Sequence, residues 1–276
     1  MQSLLNYQVH LLKEDADWIV FLHGAGGSIA TWKYQISDLK RSFNILAIDL
    51  RDHGLSKNIE PSFDTYDFNI VVDDVKKVLE EVGVARAHFV TLSFGSVLMQ
   101  AVYDRDPSLV KSMTLIGGIF NANWMIKAFV HSARFLNLFL PYHWMYRIFS
   151  YLLMPKKNHQ VARRVYQRQA RKLSQSEYLK WLGLYSEFFS LLKSFHQQEI
   201  DIPTIIIMGD EDYLFLPSAK GFAKAHSKAT LVTISNAGHI CNIERPKEVN
   251  QTILDFLDSQ KDLAETPPTK ETSVTN

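Results

Sequence analysis

The feature that most constrains this chain is an alternation. Short apolar runs at residues 17–22, 43–49, 87–92, 112–117, 203–208 and 230–234 take turns with helix-period patterns at 30–40, 67–82, 95–105, 217–226 and 246–259. Apolar runs without polar interruption suit strands buried on both faces. Strand, helix and strand in succession close into parallel units, so the alternation predicts an α/β fold: a mostly parallel central sheet with helices on both faces. An early segment, 6–12, predicts one more strand at the sheet edge. With 276 residues, 46% of them hydrophobic, the chain is long enough to bury one large core.

The alternation breaks once. From Asn121 to Glu199 the sequence carries helical stretches rich in aromatics and no strand signal, and Pro203 restarts the core pattern. The predicted organisation is therefore a first core part over 1–120, an inserted helical unit over 121–199 and a second core part over 200–262. The tail, 263–276, is rich in threonine with two prolines and is predicted to be disordered. The insert holds twelve Lys or Arg against three Glu, a net of +9, whereas the rest of the chain holds eighteen basic and twenty-six acidic residues, a net of −8. A near-neutral total thus hides a dipolar split.

The chemistry sits at the ends of the predicted strands. Ser93 follows the run Ala87–Leu92 and precedes a helix-period segment, so it occupies a strand-to-helix turn. Such a turn must be sharp to present the hydroxyl, and the helix N-terminus favours negative charge developing there. The segment Thr91-Leu92-Ser93-Phe94-Gly95 resembles the nucleophile elbow of the α/β-hydrolase family, G-x-S-x-G, with Thr91 in place of the first glycine. That replacement predicts a tighter fit between elbow and neighbouring strand.

Companion segments follow in the family's order. Trp18–Leu22 ends in His23-Gly24-Ala25-Gly26-Gly27-Ser28, similar to the family's His-Gly loop. By that resemblance the backbone N–H groups of Ala25 and Phe94 form an oxyanion hole. The segment Asp49-Leu50-Arg51-Asp52-His53-Gly54-Leu55-Ser56 resembles the family's D-x-R-G-x-G-x-S with Asp52 at a glycine position, and is assigned a structural role. Gly209-Asp210-Glu211-Asp212 resembles G-x-x-D, which selects Asp212 as the carboxylate over Asp210. Gly238-His239, followed by Glu244-Arg245-Pro246 and a helix with Val249, Ile253, Phe256 and Leu257 on one face, resembles the C-terminal segment that carries the base. The resemblance implies a catalytic triad of Ser93, Asp212 and His239, and an insert that forms a cap over it.

Other chemistry competes and loses. Ser96 lies inside the helix, where its hydroxyl bonds back to a carbonyl. His23 is expected to order its loop, and His53 and His88 to be structural. Cys241 is the single cysteine, which excludes a disulfide framework, and is expected to be a buried inert thiol. Gly24-Ala25-Gly26 after a strand, with Asp49 closing the next, also resembles a dinucleotide-binding start, but Ile29 stands where the third glycine belongs. No histidine or cysteine cluster has metal-ligand spacing. Neither a cofactor nor a metal is expected.

The expected function is cleavage of carboxylic esters of hydrophobic, lipid-like acids through an acyl-enzyme, with thioester, amide or C–C cleavage on the same triad, or a non-catalytic ligand receptor, as alternatives. Substrate is expected to rest on cap residues Trp124, Met125, Phe129, Phe135, Trp144 and Trp181. No nucleic-acid module accompanies the basic charge. The pairing of Lys156, Lys157, Arg163, Arg164, Arg168, Arg171 and Lys172 with nearby apolar residues predicts peripheral contact with an anionic membrane. The first residues carry no basic start or long apolar stretch, which predicts a cytoplasmic location.

Overall fold

The computed structural model describes residues 3–121, 124–137 and 139–265. In chain order the first core part gives β1 (Tyr7–His10), β2 (Trp18–Leu22), α1 (Lys33–Leu39), β3 (Asn44–Ile48), α2 (Phe68–Val82), β4 (Ala87–Leu92), α3 (Phe94–Arg105) and β5 (Val110–Ile116). The insert follows as α4 (Trp124–Leu136), α5 (Tyr142–Leu153), α6 (Gln160–Ala170), α7 (Gln175–Leu182) and α8 (Tyr185–Gln197). The chain then returns through β6 (Thr204–Gly209), α9 (Leu216–Ala225), β7 (Ala229–Ile234), a single turn α10 (Cys241–Glu244) and α11 (Pro246–Glu265).

The seven strands form one sheet in the order β1-β3-β2-β4-β5-β6-β7, with β1 antiparallel to β3 and every other pair parallel. Strands β3, β4 and β6 are buried at every position, because helices cover both faces and no side of the strand meets water. The chain steps from β2 outward to β3 and then back across β2 to β4. That reversal splays the loops after β2 and β4 apart, and a crevice opens beyond the strand C-termini between them.

Local signals set the helix ends. Asp67 accepts from the Ile70 N–H at 2.8 Å and starts α2, and Gly83, with φ of 77°, ends it. Pro246 opens α11, and Val249, Ile253 and Leu257 are its core-facing stripe. α11 runs to Glu265, past the expected start of the disordered tail at 263, and residues 266–276 lie outside the described part. The insert packs back on the core through several helices, among them α8 on α3 and α6 on α10.

Candidate active site

Ser93 sits at the corner between β4 and α3 with φ of 53° and ψ of −119°. A side chain other than glycine in that region costs about 1–3 kcal/mol, sustained only where surrounding structure fixes it. The fixing is visible. The Ser93 N–H donates to the Ile116 carbonyl at 2.8 Å, and α3 begins at the next residue. Gly95 lets the helix press onto the end of β2, since a Cβ there would lie 2.6 Å from the Leu22 oxygen and 2.8 Å from that of His23. Thr91, at the departed glycine position, is fully buried between Leu22 of β2 and Leu115 of β5. Ser96 Oγ donates back to the Ser93 carbonyl at 2.6 Å and is thereby occupied.

A carboxylate and an imidazole arrive from the far half of the sheet. Asp212 follows β6 and is 1% exposed; Oδ1 accepts from the Phe215 N–H at 3.1 Å and Oδ2 lies 2.7 Å from His239 Nδ1. His239 follows β7, and its Nε2 lies 2.7 Å from Ser93 Oγ. A carboxylate only accepts, so Nδ1 carries the proton and Nε2 is left free to take the serine's. Asp210 is exposed and, among the described residues, accepts from the Ala237 N–H at 3.3 Å, so geometry places Asp212, not Asp210, on the imidazole. Gly117, with φ of 55°, keeps the imidazole's space open: a Cβ there would be 2.6 Å from the His239 carbonyl oxygen and 3.3 Å from its ring. The Phe215 ring covers His239 at 5.0 Å between centroids.

Two buried histidines order the loop after β2. His23 donates from Nδ1 to the Gly24 carbonyl at 2.8 Å and accepts at Nε2 from the Leu50 N–H at 3.0 Å. His53 donates from Nδ1 to the Arg51 carbonyl at 2.9 Å and accepts at Nε2 from the Gly26 N–H at 3.0 Å. Burial holds both imidazoles below their ordinary range, which suits rings that each donate once and accept once. Asp49 binds the N–H groups of Ile29 and Leu55 at 2.7 and 2.9 Å and the Asn6 amide at 2.8 Å. A carboxylate so committed ties three segments together, which answers the dinucleotide resemblance. Asp52 stands at a φ of 65°, a conformation aspartate tolerates better than most residues, and accepts from the Tyr66 hydroxyl at 2.6 Å.

A chamber of about 150 Å³ separates core from insert. Ala25, Ser93 and Phe94 form its floor, and all five inserted helices supply wall, for example Val130, Tyr146, Tyr166, Trp181 and Phe188. A second chamber of about 50 Å³ adjoins it, sharing Ala25, Ser93, Leu153 and Tyr166, and bounded by Val165, Gln169 and His239. Of the expected cap residues, Trp181 lines the larger chamber, and its Nε1 donates to the Arg51 carbonyl at 3.1 Å. Trp124, Phe135 and Trp144 do not: they are 77%, 61% and 47% exposed and line neither chamber, a correction to the expectation. Helical phase is the reason, since Ile126 and Val130 on α4, and Tyr146, Phe149 and Leu153 on α5, occupy the inward positions. The side chains of Met125 and Phe129 lie outside the described residues.

Sequence reasoning missed a polar joint between insert and core, exposed at Lys156 and Asn158 and buried at His159. Glu211, next to Asp212, receives Lys156 Nζ at 2.6 Å, Asn158 Nδ2 at 2.8 Å and His159 Nε2 at 2.7 Å, all from the start of α6 or the turn before it. Glu244 accepts from the N–H of Gly238, the neighbour of His239, at 2.6 Å. The fully buried His159 ring lies over Gly238, where a Cβ would come within 2.9 Å of it. The insert is thus fastened beside both loops that bring the carboxylate and the imidazole. Glu244 was flagged only through its E-x-P motif; no local signal marks His159. Cys241 is fully buried and its thiol is pushed well up by burial, so it is no competing nucleophile. Among the described residues no cluster of His, Cys, Asp or Glu has the makings of a metal site, and no helix is long and apolar enough to cross a membrane.

A strained serine at a strand-to-helix corner, an imidazole and a buried carboxylate at the C-terminal edge of a mostly parallel sheet, and a helical insert above them define a class of fold and site. The chain belongs to the alpha/beta hydrolase fold family, which matches residues 17–246, and it is a hydrolase enzyme. It is similar to the 3-oxoadipate enol-lactonase 1 of Acinetobacter baylyi, 26% identical over 256 residues that cover 89% of this chain and 90% of that protein. Among solved structures it resembles the enol-lactonase from Burkholderia xenovorans LB400, with a TM-score of 0.71 at 21% identity over 92% of this chain and 96% of that one. It also resembles Est816, described as an N-acyl homoserine lactone degrading enzyme, with a TM-score of 0.77 at 19% identity over 91% and 96%.

Proposed function

We propose that the chain is a serine hydrolase of carboxylic esters with hydrophobic acyl groups, acting through Ser93, His239 and Asp212. The observation that carries this reading is the unbroken file of two 2.7 Å contacts, Asp212 to His239 to Ser93, ending on an apolar chamber. His239 Nε2 takes the proton of Ser93 Oγ as that oxygen bonds to the ester carbonyl carbon. The carbonyl oxygen becomes an oxyanion held by the N–H groups of Ala25 and Phe94, and Asp212 stabilises the imidazolium. As the C–O bond to the alcohol breaks, His239 gives the alcohol oxygen that proton. Water then attacks the acyl-enzyme, its proton passing through His239 to Ser93, and the acid leaves.

The test is hydrolysis of methyl esters from acetate to palmitate, followed by proton release, beside Ser93→Ala. A dry apolar cavity of about 150 Å³ holds a benzene ring, so turnover is expected to peak at acyl groups of about six carbons. Ser93→Ala is expected to lose about three orders of magnitude or more. Turnover that survives in the Ser93 variant would overturn the assignment.

The same reading extends to where the substrate is met. Exposed Trp124, Phe135, Phe139, Trp144, Tyr151 and Leu152 share the insert with its excess of cations, and Arg147 stacks on Trp144 at 5.2 Å. Exposed apolar side chains beside an excess of positive charge suit the headgroup region of an anionic bilayer. Flotation with vesicles is expected to show binding to anionic lipid that weakens with salt; equal binding to neutral vesicles would refute it.

A further inference from the structure

We infer that the two chambers beside Ser93 divide the substrate, the acyl group entering the larger and the alcohol the smaller, so that the preferred substrates are short-alcohol esters of phenyl-sized acids. This rests on the ester reading above and narrows it to a substrate class. Proton transfer fixes the direction. When the tetrahedral adduct collapses, the leaving oxygen must lie within hydrogen-bond reach of His239 Nε2 to take its proton. His239 lines the smaller chamber together with Ile240 and Ile243, and it is not among the described residues lining the larger one. The alcohol therefore faces the smaller chamber. The acyl substituent, on the other bond of the same carbon, is left with the chamber over Phe94 and Trp181.

Volume sets the sizes. The smaller chamber, about 50 Å³, is a third of the larger, and a cavity of about 150 Å³ holds a benzene ring, so only about two heavy atoms of alcohol fit beside the ester oxygen. The larger chamber, about 150 Å³ and walled by aromatic and aliphatic side chains, suits a ring. Thr31 and Gln169 border the smaller chamber, and Gln169 Oε1 is held by the Ser28 hydroxyl at 3.1 Å. Once the alcohol has left, the deacylating water needs the same imidazole and occupies the same space. Val165 and Gln169 of α6 thereby become specificity-determining residues for the alcohol.

Methyl phenylacetate and benzyl acetate test this directly, because they are isomers with the ring moved from the acid to the alcohol. The expected result is a kcat/KM for methyl phenylacetate about tenfold or more above that for benzyl acetate, a ratio within reach of pocket fit alone. Val165→Ala and Gln169→Ala, each enlarging the smaller chamber, are expected to shrink the ratio. Equal rates, a preference for benzyl acetate, or a ratio untouched by both variants would overturn the inference while leaving the ester reading standing. So would failure to turn over either isomer by a protein whose Ser93 is still labelled by a fluorophosphonate. Absence of both turnover and labelling would remove the ester reading, and the inference with it.

Discussion

Replacing Asp212 by asparagine changes one atom type at a buried site, and the hydrogen bonds around it fix the outcome. The Phe215 N–H can only donate, so it claims the amide oxygen of the new side chain, in the place of Oδ1 at 3.1 Å. The amide NH2 then faces His239 Nδ1, which must accept. The ring proton moves to Nε2, the atom 2.7 Å from Ser93 Oγ, and the imidazole can no longer take the serine's proton. Flipping the amide restores the tautomer but strands the Phe215 N–H in a pocket where residue 212 is 1% exposed, at a cost of about 1–3 kcal/mol. The flipped form also lacks the negative charge that stabilises the imidazolium, and a charge-assisted bond is about twice as strong as a neutral one. Together these amount to roughly 2–4.5 kcal/mol of transition-state stabilisation, a loss of about 30- to 2,000-fold in kcat/KM. Initial rates on the best methyl ester, with urea unfolding to establish that the fold is retained, would measure it. Asp210→Asn, at an exposed site, is expected to stay within about twofold, a surface change away from the imidazole. A loss under tenfold for Asp212→Asn, or a larger one for Asp210→Asn, would refute the reasoning.

Three further outcomes are expected. Arg51 and Asp74 form a buried pair with contacts of 2.6 and 2.8 Å, so Asp74→Ala should lower unfolding free energy in urea by about 3–5 kcal/mol, and the double change Arg51→Met with Asp74→Leu should recover most of it. Asn158, Lys156 and His159 hold the Glu211 carboxyl at about 2, below its usual 4.5. A lowered value means stability gained above the ordinary range and lost as pH falls from 4.5 toward 2, so thermal melts across that window should slope less in Glu211→Gln than in the parent. Cys241, buried and with its thiol pushed up, should resist a disulfide reagent in the native protein and react once urea unfolds it.

The fold class was legible because its signals are local. Strands such as Ile45–Ile48 are apolar without a break wherever both faces are covered, and Gly83 and Pro246 mark helix ends through their own backbone preferences. Ser93, Asp212 and His239 stood out because each closes such a run, and the structure brings them into one file. Asp212 was chosen over Asp210 on the family's G-x-x-D spacing, and in the structure two residues of separation turn one carboxylate toward the imidazole and the other to solvent. The insert was read as helical with an excess of positive charge, but which of its aromatics meet the chamber was not legible. Trp124 and Trp144 are as apolar in sequence as Trp181, and only the rotation of each helix against its neighbours sends the first two outward. His159 gives no signal at all until α6 comes to rest beside Glu211 and Gly238. The sequence by itself determined the order of elements and the chemistry at the strand ends, because backbone propensity and hydrophobic period act over a few residues. Tertiary structure alone decided the shape of the chambers and the joint between insert and core, because those depend on contacts between residues far apart along the chain.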